Sequence, residues 1–246
     1  MTRNLPMSFA FLMCCSSLLA AQEPSSEAPP LSLNSFVSTH LIYVPPVPGA
    51  PFSAEVQVKS QRMLQDGSVE TLHTMNSIAR DSRGRTHGEN RSVMPESSQG
   101  DPPLVEVSIF DPETHLRTHY EVRTKVANQS VSRDPHGGPD ASNSPALKVE
   151  DLGVKDIEGL DARGTRRTFT ISAAASGTGA PLEVVDEYWY SEDLHLNLLV
   201  SHRDPRLGVR TFTVTHLNRE EPPESLFEVP VGYTMLDSTS SASLAK

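Results

Sequence analysis

Along most of the chain apolar and polar residues alternate with period two, the pattern of strands with one buried face. In "PFSAEVQVKSQRML" (51–64), Phe52, Ala54, Val56 and Val58 fall on one face, and Glu55, Gln57 and Lys59 on the other. Asp66-Gly67 then marks a hairpin turn, because glycine accepts the positive φ that tight reversals require. "SVETLHTMNSIARD" returns to a second turn in "DSRGR", and "THGENRSVM" follows. The unit recurs as "LVEVSIF", a proline turn in "DPET" and "HLRTHYEVR". It recurs again as "KVEDLGVKDIEG" into "LDARGTRRTFTI", as "LEVVDEYWY" through "SEDL" into "HLNLLVSHR", and through "DPRLG" into "VRTFTVTHL". About ten strands with mostly short connections predict an all-β, mainly antiparallel fold, a curved meander or part-closed barrel. No long stretch carries the helical period. "PPESLFEVP" predicts one helical turn, opened by Pro223 and stopped before Pro230.

The ends of the chain read differently. Arg3, an apolar run from Met7 to Ala20 and then small residues have the layout of a secretory signal peptide with cleavage after Ala21. The run is shorter than the roughly 20 residues of a membrane span. Residues 1–21 are therefore expected to be a signal, and the protein to be exported to the periplasm or beyond. Residues 22–50 read as a flexible Pro/Ser-rich leader ending in the stiff, extended "VPPVPGAP". A single β domain is expected over 51–235, with a disordered loop at 128–145 ("NQSVSRDPHGGPDASNSP") and a disordered tail at 236–246.

The only cysteines, Cys14 and Cys15, lie inside the signal. The mature chain then has no disulfide, and its core must suffice, for which about 225 residues are ample. The alternative is a lipobox at Leu12-Met13-Cys14 with a lipid anchor on Cys14, but such sites take a small residue where Met13 stands. The 21 basic residues are interspersed among 31 acidic ones, for a net charge of −10. That balance argues against a nucleic-acid partner and against anionic membrane surfaces.

Two groups of residues invite a chemical reading. His115 and His119 would chelate a metal on a helix. In a strand their four-residue spacing puts them about 13 Å apart, too far for ligand bonds near 2 Å, so they read as solvent-facing. "EYWYSEDLHLNLLVSHR" gathers Glu187, Glu192, Asp193, His195 and His202 around Trp189, the chain's one tryptophan. Paired carboxylates there would suit glycan hydrolysis. Strand parity instead puts Leu194, Leu196, Leu198, Val200 and His202 on one face, and Trp189 with Val185, so the stretch reads as the seam of a sheet. Nucleophile elbow, phosphate loop and zinc-protease motifs are absent. "ASGTGA" (175–180) precedes no helix and is a connection. "NRS" and "NQS" match a glycosylation acceptor only by a short pattern. No catalytic, cofactor or metal residue is assigned.

"IARDSRGRTHGE", "IFDPETH", "DLGVKDIEGLDARGTRRTFTI", "YWYSEDLHLNLLVSHRDPRLG" and "PESLFEVPVGY", in that order, resemble a group of uncharacterised exported proteins of Acidobacteria over most of residues 50–235. "YWYSEDL", a returning strand and a final "LF-x-V-P-x-G-Y" are also similar, more distantly, to periplasmic lipoprotein carriers and their sensor relatives (LolA/RseB-like). That resemblance implies a curved sheet whose concave apolar face holds a lipid or acyl chain. The apolar rows that would supply such a face contain Val56, Val58, Val185, Trp189, Leu196, Leu198, Phe212 and Val214. The resulting expectation is a non-enzymatic envelope protein that binds a lipid or another envelope protein. A glycan hydrolase using carboxylates near Trp189 and a purely structural envelope scaffold are the alternatives. An open lined groove would favour binding, and rows packed shut would favour the scaffold.

Overall fold

The computed structural model describes residues 42–64, 66–132 and 147–237. The strands are β1 (Phe52–Met63), β2 (Val69–Arg80), β3 (Thr86–Arg91), β4 (Met94–Pro95), β5 (Leu104–Asp111), β6 (Leu116–Glu121), β7 (Val126–Val131), β8 (Leu147–Ile157), β9 (Leu160–Ile171), β10 (Leu182–Ser191), β11 (Leu196–Asp204), β12 (Gly208–Asn218) and β13 (Thr234–Asp237). They form one curved 13-stranded sheet in the order β13-β7-β6-β5-β3-β2-β1-β12-β11-β10-β9-β8, with β4 attached to β2. The sheet does not close, and the two ends of this order are its edges. Every described pairing is antiparallel except β13 with β7. The described helices are one four-residue turn at Ala173–Ser176 and a 3₁₀ turn at Glu224–Phe227 preceded by Pro223. The predicted all-β class and the single turn in "PPESLFEVP" are both present.

Chain order explains most of this arrangement. Two meanders, β1 to β7 (with β4 set aside on β2) and β8 to β12, each run between neighbouring antiparallel strands. They join where β1 pairs with β12, Val58 opposite Phe212. The first strand of the domain therefore lies mid-sheet, and Phe52, Ala54, Val56 and Val58 are all buried. Around them is the larger core, which includes Ile78, Leu160, Leu194, Leu196, Leu198 and Val214. A smaller core forms over the other half of the sheet, where Phe227 meets Val107, Ile109, Tyr120 and Ala127, with Leu226, Val229 and Tyr233 packed against it. The "LF-x-V-P-x-G-Y" motif is thus a packing strap, with Tyr233 edge-on to Tyr120 at 4.9 Å and the Arg85 guanidinium 4.7 Å over the Phe227 ring.

Turn chemistry matches the sequence closely. Asp66, Asp111 and Asp204 each accept the backbone N–H two residues on, from Ser68, Glu113 and Arg206 at 2.8–2.9 Å, which is how aspartate holds a reversal. His115, Lys125 and His195 adopt positive φ at the ends of the turns before β6, β7 and β11. His115 therefore closes a turn, and the strand begins at Leu116.

Three boundaries differ from the sequence reading. Residues 42–50, expected to belong to a free leader, lie against the sheet: Ile42 is buried, Val44 packs on the core, and Gly49 donates to the Ser82 carbonyl at 2.9 Å. The fastening is Arg80, wholly buried on β2. Its Nε donates to the Ala50 carbonyl (2.9 Å), one terminal nitrogen to Pro45 (2.8 Å) and the other to Leu194 (2.8 Å). Burial lowers its pKa to about 10, which keeps it charged at neutral pH. Asn128–Val131, expected to open a disordered loop, belong to β7 because their backbone pairs with β6 and β13. Leu236 and Asp237, assigned to the tail, lie in β13. The signal (1–21), Cys14, the first part of the leader, residues 133–145 of the loop and the last residues of the tail fall outside the described residues.

Candidate functional site

Register across the centre of the sheet produces two parallel rows of side chains. Tyr188, Val200, Phe212, Val58 and Thr74 stand side by side across β10, β11, β12, β1 and β2. Two residues along, on the same face, stand Asp186, His202, Arg210, Ser60 and Leu72. All ten line one cavity of about 590 Å³. The first row is apolar and aromatic, ending in the Thr74 hydroxyl. The second is polar from Asp186 to Ser60 and ends in Leu72. Deeper still, Val56 and Val214 pair and are both sealed from solvent. The cavity therefore grades from dry core to polar wall along the strand direction.

Its rim is unusual. Tyr43, Met63, Val93 and Leu207 line the cavity and are exposed, Met63 at 75%. Isolated exposed apolar residues are common, but several around one opening are the mark of a ligand or partner surface. Ile42 and Tyr43 reach the rim because Arg80 fixes the segment that follows them. Two rim arginines are neutralised locally, Arg62 by Glu70 at 2.6 Å and Arg206 by Asp204 at 2.7 Å. On the polar row, Asp186 meets His202 Nδ1 at 2.6 Å, and Arg210 Nε donates to the Ser60 hydroxyl at 3.0 Å. Burial, and then the Asp186 carboxylate, push the Tyr188 phenol up, so it stays a neutral donor.

Of the eight residues named from sequence as an apolar ligand face, Val58 and Phe212 line this cavity. Val56, Leu196, Leu198 and Val214 are at most 1% exposed and belong to the core. Val185 and Trp189 alternate with Asp186 and Tyr188 along β10 and do not line the cavity. Trp189 is half-buried, opposite Gly164 on β9, with Lys155 Nζ 3.8 Å from its ring centroid. A Cβ at Gly164 would lie 2.7 Å from the indole, so the missing side chain makes room for the ring. Sequence reasoning missed Tyr188, Val200, Arg210 and Ser60. Their alternation was visible, but which face was open depends on the pairing of β1 with β12.

The acids near Trp189 have separate surroundings. Glu187 is held by Arg166 at 2.8 Å. Glu192 and Asp193 stand exposed in the turn between β10 and β11, Asp193 3.9 Å from Arg219. His119 pairs with Glu106 at 2.9 Å. A second, smaller cavity of about 310 Å³ lies between β1, β2 and β3, lined by Glu55, His87, Glu89 and His216 among others. There His87, 3.8 Å away, and Arg91 hold the Glu89 carboxyl down to about 2 against its burial.

No protein-family model matches the chain, and no curated protein is significantly similar to it. Solved structures do resemble it at low identity. An uncharacterized conserved protein from Thermus thermophilus is 12% identical with a TM-score of 0.41, covering 77% of this chain and 91% of that one. The Pseudomonas aeruginosa MucA/MucB complex contains a chain 13% identical with a TM-score of 0.41, covering 76% of this chain and 58% of that one. A LolA superfamily protein from Nitrosomonas europaea is 10% identical with a TM-score of 0.30, covering 74% of this chain and 91% of that one. Among the described residues no helix is long and apolar enough to cross a membrane.

Proposed function

We propose that the protein is a non-enzymatic, exported envelope protein that holds an apolar-chain ligand in the cavity between β10 and β2. The observation that carries this reading is the row Tyr188–Val200–Phe212–Val58 on the wall of an open cavity with an exposed apolar rim. A volume of about 590 Å³ falls within the roughly 300–1,000 Å³ of small-molecule sites. Apolar walls with few, placed polar groups are the usual composition of such sites. Export rests on the signal-like first 21 residues. The scaffold alternative needs the apolar rows packed shut, and the open wall weighs against it. The hydrolase alternative needs converging carboxylates, and those near Trp189 are dispersed.

Native mass spectrometry of the protein purified from its own envelope tests the reading. The expected spectrum has a satellite at the mass of one lipid-sized, non-covalent ligand, lost on gentle activation. A spectrum of bare protein that stays bare after incubation with total lipid extract would overturn it.

A further inference from the structure

The cavity's charges do not balance. Arg62 and Arg206 have carboxylates of their own at the rim, and Asp186 is taken by His202 at 2.6 Å. Arg210 has none among the described residues. Its single bond to them is Nε to the Ser60 hydroxyl, a neutral acceptor. The two terminal nitrogens, with four N–H donors between them, meet no acceptor among the described residues and belong to a side chain that lines the cavity. Asp186 is two strands away, a backbone separation of about 10 Å, and on the far side of His202.

A half-buried guanidinium without an anion is costly in a partly apolar wall, because its charge is desolvated and unmatched. Its planar fork suits a carboxylate bidentately. The bond to Ser60 fixes the fork's orientation. Arg210 also pairs across the sheet beside the apolar row, two residues from Phe212. A chain lying along Val200, Phe212 and Val58 that turns its end group at Val58 toward Ser60 brings that group beside Arg210.

We infer that the ligand is a single-chain amphiphile with a carboxylate head, held by Arg210 and Ser60 with its chain along the Tyr188–Val200–Phe212–Val58 row. This rests on the ligand-holding reading of the cavity. One unmatched positive charge calls for one negative charge. A head with a single planar acceptor pair fits that requirement more simply than a phosphate ester with its attached glycerol.

The test compares oleate, oleyl alcohol and monooleoyl phosphatidylglycerol by isothermal titration against the wild-type protein and Arg210→Gln. Oleate is expected to bind wild type about tenfold or more tighter than oleyl alcohol, the scale of a charge-assisted hydrogen bond in a partly dry site. Arg210→Gln should erase that preference, bringing oleate binding down to the level of oleyl alcohol. Equal binding of the two probes to wild type, or a preference that survives in Arg210→Gln, would overturn the inference and leave the cavity reading standing. Tighter binding of monooleoyl phosphatidylglycerol than of oleate would overturn the carboxylate assignment. Binding of none of the three would sink the inference and the cavity reading together. Should Arg210→Gln fail to fold, the wild-type comparison of oleate with oleyl alcohol decides alone.

Discussion

Replacing Arg80 by methionine lowers the stability of the domain by about 3–5 kcal/mol, from the scale of losing a buried hydrogen-bond network. The side chain is 0% exposed, and no carboxylate among the described residues accounts for it. It is bonded instead to three backbone carbonyls, those of Pro45, Ala50 and Leu194, which belong to segments remote in sequence. Methionine restores the packing over Phe52 but leaves the buried bond to Leu194 and the part-buried bonds to Pro45 and Ala50 unmade, and an acceptor left unpaired in a buried setting costs about 1–3 kcal/mol. Lysine at this position keeps the charge yet has one compact head, unable to reach three divergent carbonyls. Both variants should melt about 10 °C lower, on the scale of a few degrees per kcal/mol for a domain of this size. They should also release residues 42–50, readable as protease sensitivity ahead of Pro51. A melting temperature within a degree of wild type would mean the fastening does not hold.

Leu198→Asp is expected to unfold the domain outright, and Glu192→Gln to change its stability by less than about 0.5 kcal/mol. The two positions lie six residues apart on one hairpin but in opposite settings. Leu198 is 0% exposed within the larger core, between Leu196 and the buried Val214 side of the sheet. A carboxylate there would be neither solvated nor paired. Glu192 is exposed in the turn, where its backbone carbonyl accepts from His195 and its side chain is not needed. Far-UV circular dichroism with thermal melting reads both. A folded Leu198→Asp protein would mean that β11 presents its other face to the core. Loss of a glycan-cleaving activity in a folded Glu192→Gln protein would revive the hydrolase alternative.

Local features were legible in the sequence because their physics is local. Period-two alternation placed β1, β2 and β10 to β12, and the aspartate and glycine turns at Asp66, Asp111 and Asp204 behave as their chemistry dictates. Strand β7 was missed because "VANQSV" is polar and merges into a Ser/Pro-rich stretch. Its pairing with β13, more than a hundred residues later, decides its state. Arg80 was unreadable for the same reason: an arginine in a strand looks solvent-facing until the segment from Pro45 to Ala50 covers it. The candidate face drawn from apolar rows gathered Val56, Leu198 and Val214 because apolar alternation marks burial. A cavity wall is half-buried and mixed, as at Tyr188, Val200 and Arg210, and alternation alone does not distinguish it from a solvent face.

The proposed ligand site is the cavity between β10 and β2. Val200→Trp blocks it, because Val200 is partly exposed on the cavity wall and an indole there fills the space. The measurement is titration of a fluorescent fatty-acid analogue into wild type and Val200→Trp, with thermal melting recorded on both. The variant should melt near wild type and bind the analogue at least about tenfold more weakly, the loss expected when apolar contacts are replaced by overlap. Equal affinity in a folded Val200→Trp protein would place the ligand elsewhere.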